Sequence, residues 1–201
     1  MRITALAMAV AALCALAVTA KAASPVVNPP PKGSVSIAQG LQAWDRIYEV
    51  VSHPRCSNCH VGASDRPMWS GPNYGKTRPH GMNIRAGESL IGAETIACQT
   101  CHGRSNASIP HAPPGVDGYW QLAPVEADWF GRSSKDICEQ LRDPERNGDR
   151  TFLEVAGHLG HDLVLQWAWD PGPGRQSAPY SLQAHVDDVL AWGVAGTPCP
   201  N

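Results

Sequence analysis

From Ser36 onward, Ile37, Leu41, Trp44, Ile47, Tyr48 and Val51 recur at the intervals of one helix face, with polar residues between them. Ser36 and Gln39 are placed as a capping box at the start, and Pro54 is expected to stop the run. Periodicity then fades. Gly62 to Gly87 is rich in Gly, Pro and Asn and reads as a long loop, and Ser105 to Trp120, with Pro110, Pro113 and Pro114, reads as another. Between them a short helical turn is expected to precede and include Cys98 to His102. The pattern returns in the last third. Ser133 with Asp136 caps a helix through Ile137, Cys138 and Leu141 that Pro144 ends. Asp149 is expected to cap the next, with Phe152, Val155 and Leu159 on one face, and Ser181 caps a last helix through Leu182, Val186, Val189 and Leu190. No alternating pattern of useful length predicts a strand. The fold class expected is therefore mostly α and loop-rich, a single compact domain.

The N-terminus has a different character. Arg2 precedes an almost unbroken apolar run from Ile3 to Ala20, and Ala20-Lys21-Ala22 offers a small-residue cleavage site, the build of a secretory signal peptide. The run is close to the roughly 20 residues that span a bilayer, but its many alanines make it weakly apolar. Cleavage, with Cys14 leaving in the signal, is the expectation, and no later segment would insert in a membrane. Residues 1–22 are thus read as signal, 23–33 as a proline-rich lead-in and 34–201 as the folded domain, exported to the periplasm.

Composition changes the picture in two ways. The formal net charge of −2 becomes two units more negative when Arg2 and Lys21 are removed, so nothing attracts nucleic acid. Gly 19 and Pro 18 are high for a helical protein, and the middle of the chain is poor in large aliphatic side chains, so the core looks thin without a large apolar ligand.

Two short stretches supply a reason. "CSNCH", Cys56 to His60, and "CQTCH", Cys98 to His102, repeat one arrangement at a spacing of 42 residues. Four thiolates could form a zinc site, and a single pair could be a redox dithiol, but neither reading calls for the histidine. His after both pairs by chance has odds on the order of one in six hundred. In c-type haem attachment the histidine is required. Two thiols add to the porphyrin's vinyl groups, and the next residue turns its imidazole Nε2 toward the iron. Two covalently bound haem c groups are the expected cofactors, held by Cys56, Cys59, His60 and by Cys98, Cys101, His102.

On these motifs the chain resembles the c-type cytochromes. Across "HPRCSNCH", "RPHGMN", "QLRDPERNG" and "WAWDPGPGR" it is similar to the periplasmic dihaem subunits that accompany molybdenum hydroxylases of the isoquinoline 1-oxidoreductase type. That resemblance implies a redox-protein donor of this kind and a further redox acceptor.

An iron with two protein ligands exchanges electrons but has no place for a substrate. His80 is the first candidate for a sixth ligand, Met82 the next, and His161 a third from the C-terminal half. His158 and His161 with Glu154 on one helix raise a minor zinc alternative. His53 is tethered beside its own attachment edge, and His111 and His185 are expected to face solvent. Trp120, Trp129, Trp167 and Trp169 are expected to pack on a porphyrin or fill core. Arg78, Arg85 and Arg175 are candidates for pairing with haem propionates. Cys138 and Cys199, left over in an oxidising compartment, most simply form a disulfide. The expected function is one-electron transfer by a non-enzyme. The alternative is a dihaem peroxidase-like enzyme or a haem-based sensor, either with one open iron.

Overall fold

The computed structural model describes residues 24–63, 65–70, 77–87, 96–109 and 112–201; the signal segment, Cys14 and His111 lie outside them. The chain is mostly helical with little strand. Helix α1, Ile37–Val51, starts at the expected capping box, in which Ser36 accepts from the Gln39 N–H and the Gln39 side chain bonds back to the Ser36 backbone. Pro54 does more than end this run. It opens a second short helix, α2 (Pro54–Ser57), because a proline lacks only the N–H that a first helical turn leaves unused. Pro144 repeats the device. It follows α3 (Ser134–Arg142), capped by Ser133 and Asp136 as expected, and opens α4 (Pro144–Asn147).

Two boundaries differ from expectation. Thr151, not Asp149, caps α5 (Phe152–His161): Thr151 and Glu154 form a capping box, whereas Asp149 has φ 58° in the turn before it. Helix α6 (Leu163–Trp167) is too short to show a period, and it starts where the Asp162 carboxylate accepts from the N–H groups of Val164 and Leu165. The strands were invisible for the same reason. β1 (Met68–Trp69) pairs antiparallel with β2 (Arg78–Pro79), Met68 opposite Pro79 and Trp69 opposite Arg78.

The main core lies where α1 meets α7 (Leu182–Val194), with α3 and α5 against them. Trp44, Ile47, Ile137, Val186 and Leu190 are all buried there, each stabilising by about 1.5–3 kcal/mol relative to exposure. Close approach of α5 to α7 requires Gly193, since a Cβ there would stand 2.1 Å from the Phe152 ring. Arg46 of α1 grips Asp188 of α7 with two guanidinium nitrogens, Nε lying 2.9 Å from Oδ2. Cys138 and Cys199 form the expected disulfide, with Cα atoms 5.6 Å apart, tying the tail beyond α7 to α3.

His185 corrects one expectation. It is 3% exposed rather than solvent-facing, because it falls on the same face of α7 as Leu182, Val186 and Val189. Its ring lies 5.6 Å from that of Trp169, and neither its Nδ1 nor the Trp169 Nε1 has a hydrogen-bond partner among the described residues. Burial pushes its pKa from 6.5 down to about 4.

Two predictions follow from this scaffold. The disulfide closes a segment with a sequence separation of 61, so replacing both cysteines by serine should lower unfolding free energy in urea by about 4 kcal/mol, less any strain released. The second concerns acid. Below pH 6.5 an unfolded His185 takes a proton that the folded one refuses until about pH 4, so stability falls as pH drops through this window. Relative to wild type, His185→Leu should gain about 1.4 kcal/mol per pH unit between those limits and show no pH-dependent difference above them, measured by urea unfolding at each pH.

Candidate cofactor-binding site

The first cysteine–histidine motif rides on α2. His53 precedes the helix and its Nδ1 accepts from the Arg55 N–H at 3.2 Å, which gives that histidine a capping job. Cys56 and Cys59 are half-buried, and burial raises their thiols to about 12 and about 11. A redox-active dithiol needs the opposite shift. The second motif is a single 3-10 turn, Cys98–Thr100, followed by Cys101 and His102. Among the described residues no three His, Cys, Asp or Glu side chains converge as a metal cage. Glu154 is likewise occupied in its capping box rather than turned to a metal with His158 and His161.

The two motif histidines are built alike although their backbones differ. His60 Nδ1 lies 3.0 Å from the Ala127 carbonyl oxygen, and His102 Nδ1 lies 2.9 Å from that of Pro114. A carbonyl only accepts, so each Nδ1 must hold its hydrogen and each Nε2 keeps a free lone pair. Each ring is also stacked on an indole. His60 lies parallel to Trp129 at 3.4 Å and 5°, and His102 lies parallel to Trp120 at 4.6 Å and 8°. The indoles are themselves held. Trp129 Nε1 donates to the buried Gln140 at 2.8 Å, while Trp120 meets the edge of Trp167, whose Nε1 donates to Asn106 at 2.9 Å. Burial holds the His60 imidazole down at about 4, against the Ala127 bond, with the charge of nearby His158 adding to the depression. Burial also lowers His102, with smaller contributions from His80 and Arg175. Burial thus favours the neutral form of both rings, the form that binds a metal.

The long loop delivers a third imidazole. Met68 N–H donates to the Asn58 carbonyl inside the first motif at 2.7 Å, so β1 hangs from that motif; β2 pairs with β1, and the next residue, His80, donates to the Pro67 carbonyl at 2.8 Å. This ladder sets the His80 ring 6.1 Å from that of His102, at 35° between planes. His80 Nδ1 faces the Gly81 carbonyl at 2.9 Å, which again leaves Nε2 with a lone pair. A cavity partly open to solvent lies among these groups. Cys59, Cys98, Cys101, His80 and His102 line it, with Trp120, Leu122 and Trp167 as apolar wall.

Of the other expected ligands, Met82 stands on the rim of this cavity at 70% exposed, where Met82 and Asn83 both turn through positive φ. His161 is exposed at the end of α5, its ring 5.8 Å from that of His158. His158 is half-buried and is the residue whose charge reaches His60. Sequence reasoning passed over Arg55, which adjoins the first motif and lines the cavity. Its position directly before Cys56 was the available signal.

The Pro114 carbonyl is held by Gly115, whose Cβ, if present, would lie 2.3 Å from the Ser105 carbonyl oxygen and 2.5 Å from that of Gly103. Gly115→Ala should therefore destabilise by about 1–3 kcal/mol in urea. It should also speed exchange of the His102 Nδ1–H about five- to tenfold by NMR while leaving that of His60 unchanged. Compared with known proteins, the chain matches no family model, no curated protein and no solved structure.

Proposed function

We propose that this chain is an exported dihaem c-type cytochrome that carries single electrons between redox proteins. Cys56 and Cys59 would anchor one haem with His60 as proximal ligand, and Cys98 and Cys101 the other with His102. The observation that carries the reading is the placement of His80 against His102. Two imidazoles bonded through Nε2 to opposite sides of one metal ion have ring centres about 6 Å apart, given metal–nitrogen bonds of about 2.0 Å. The rings here stand at 6.1 Å, with Nδ1 of each spent on a backbone carbonyl.

The haem iron supplies the one-electron change when bound. The chain's residues do the rest. The Nδ1–H bonds orient the imidazoles and raise the basicity of Nε2. Trp120 and Trp129 cover one face of each ring and keep water from it. His80 would hold the second motif's iron together with His102, which suits electron exchange and, relative to a Met ligand, a lower potential. Partners would be redox proteins meeting the chain through transient interfaces smaller than about 1,200 Å². By resemblance the donor is a molybdenum-dependent dehydrogenase.

An enzyme or sensor with an open iron remains the second reading at the first motif only. No other imidazole ring packs against His60 among the described residues, and His158 is the one whose charge reaches it. The test is absorption and EPR spectroscopy of the purified, periplasmically expressed protein, with carbon monoxide added to the reduced form. Two covalent haems are expected. In His80→Ala one of them should become high-spin and bind carbon monoxide. Absence of covalent haem would overturn the proposal, and unchanged spectra in His80→Ala would remove that residue from the iron.

A further inference from the structure

Arg55 and Arg175 come from opposite ends of the domain and converge on one indole. Their guanidinium carbons lie 5.5 Å and 6.0 Å from the centre of the Trp167 ring. Both are partly buried, yet neither faces a carboxylate among the described residues. Arg55 donates to the carbonyls of Gln176 at 2.7 Å and Ser70 at 3.3 Å, and Arg175 donates to those of Pro171 and Ala112. Carbonyls orient a guanidinium without neutralising it. Two like charges drawn together out of water, with only neutral acceptors, are unfavourable unless an anion completes the group.

The surroundings are built to hold them there. Trp167 is fixed by its bond to Asn106 and by its edge contact with Trp120, so the platform under both cations is continuous with the stack on His102. Arg55 lines the same cavity as His80 and His102. Asn58 lines it too, 5% exposed, with its Oδ1 unpartnered. If its amide is turned over, Ser70 donates to the oxygen and an NH₂ is left for the cavity.

We infer that Arg55 and Arg175 form a carboxylate-binding site that takes the propionates of the haem held by His102. This deepens the dihaem reading and depends on it. Arg55 belongs to the first motif, so one motif would help to hold the other motif's cofactor. Planar guanidiniums suit the task because each can offer two parallel N–H groups to one carboxylate.

The test is a spectroelectrochemical titration of the haem-loaded protein from acid to alkaline pH, on wild type, Arg55→Gln, Arg175→Gln, both together, and Lys135→Gln as an exposed charge control. Losing a cation beside the propionates should lower the midpoint potential and move its pH-dependent step upward. Both single variants should act on the same haem, the one that His80→Ala opens to carbon monoxide, and Arg55→Lys should restore most of the potential. Two haems attached, with potentials and pH profiles matching the Lys135→Gln control in every arginine variant, would overturn the inference alone. A protein without covalent haem would instead overturn the function on which it stands.

Discussion

A carbonyl oxygen has no proton to give, and this asymmetry governs what His60 and His102 can do. Each ring has two nitrogens, and a backbone carbonyl at Nδ1 fixes the hydrogen there and frees Nε2. Burial reinforces the choice by favouring the neutral form of both rings. Most of the irregular structure in the middle of the chain can be understood as what it takes to bring Ala127 and Pro114 to these two nitrogens. The segment before Ala127 carries Leu122 and Val125 onto the small core around Val61 and Ala86, and Trp129 and Phe130 then donate their N–H groups to the His60 carbonyl. At the second motif Gly115 allows the loop to lie against the Gly103 and Ser105 carbonyls, which a Cβ would prevent.

Loops held this way need a rigid frame, and α1, α3, α5 and α7 supply it. The frame reaches each site by a short route. Trp129 connects His60 to Gln140 of α3, which is 1% exposed and also bonds the Arg146 carbonyl at 2.6 Å. Trp167 of α6 connects the His102 stack to Asn106. A backbone of so many prolines and glycines has little order of its own. Its order comes from these tethers, and a group bound in the cavity beside His80 and His102 would add contacts to its walls.

How much of this could be read beforehand depends on the range of the signal. The caps at Ser36, Ser133 and Ser181 are local chemistry, and the structure has all three. Asp149 misled because a capping residue is identified by its partner three positions on, and Thr151 has Glu154 there. His185 misled because its polarity was weighed above its position on an apolar face. The motifs were legible as five-residue units, and His80 as a nearby imidazole. That His80 stands over the second motif while β1 hangs from the first was not legible, because a ladder of two residue pairs leaves no periodicity. The convergence of Arg55 with Arg175, 120 positions later, is likewise a product of packing.

The two sites differ in what positions the group opposite the motif histidine. At His102 it is local: His80 is carried on a ladder that begins at Asn58, so the first motif itself sets the geometry of the second. At His60 the imidazole whose charge reaches it, His158, belongs to α5, whose place is set by Phe152 seated on Gly193 of α7 and by the core behind it. Anything that shifts α5 against α7 moves His158 relative to His60 through the long-range packing of the domain, while the spacing of His80 and His102 follows the first motif through the short ladder.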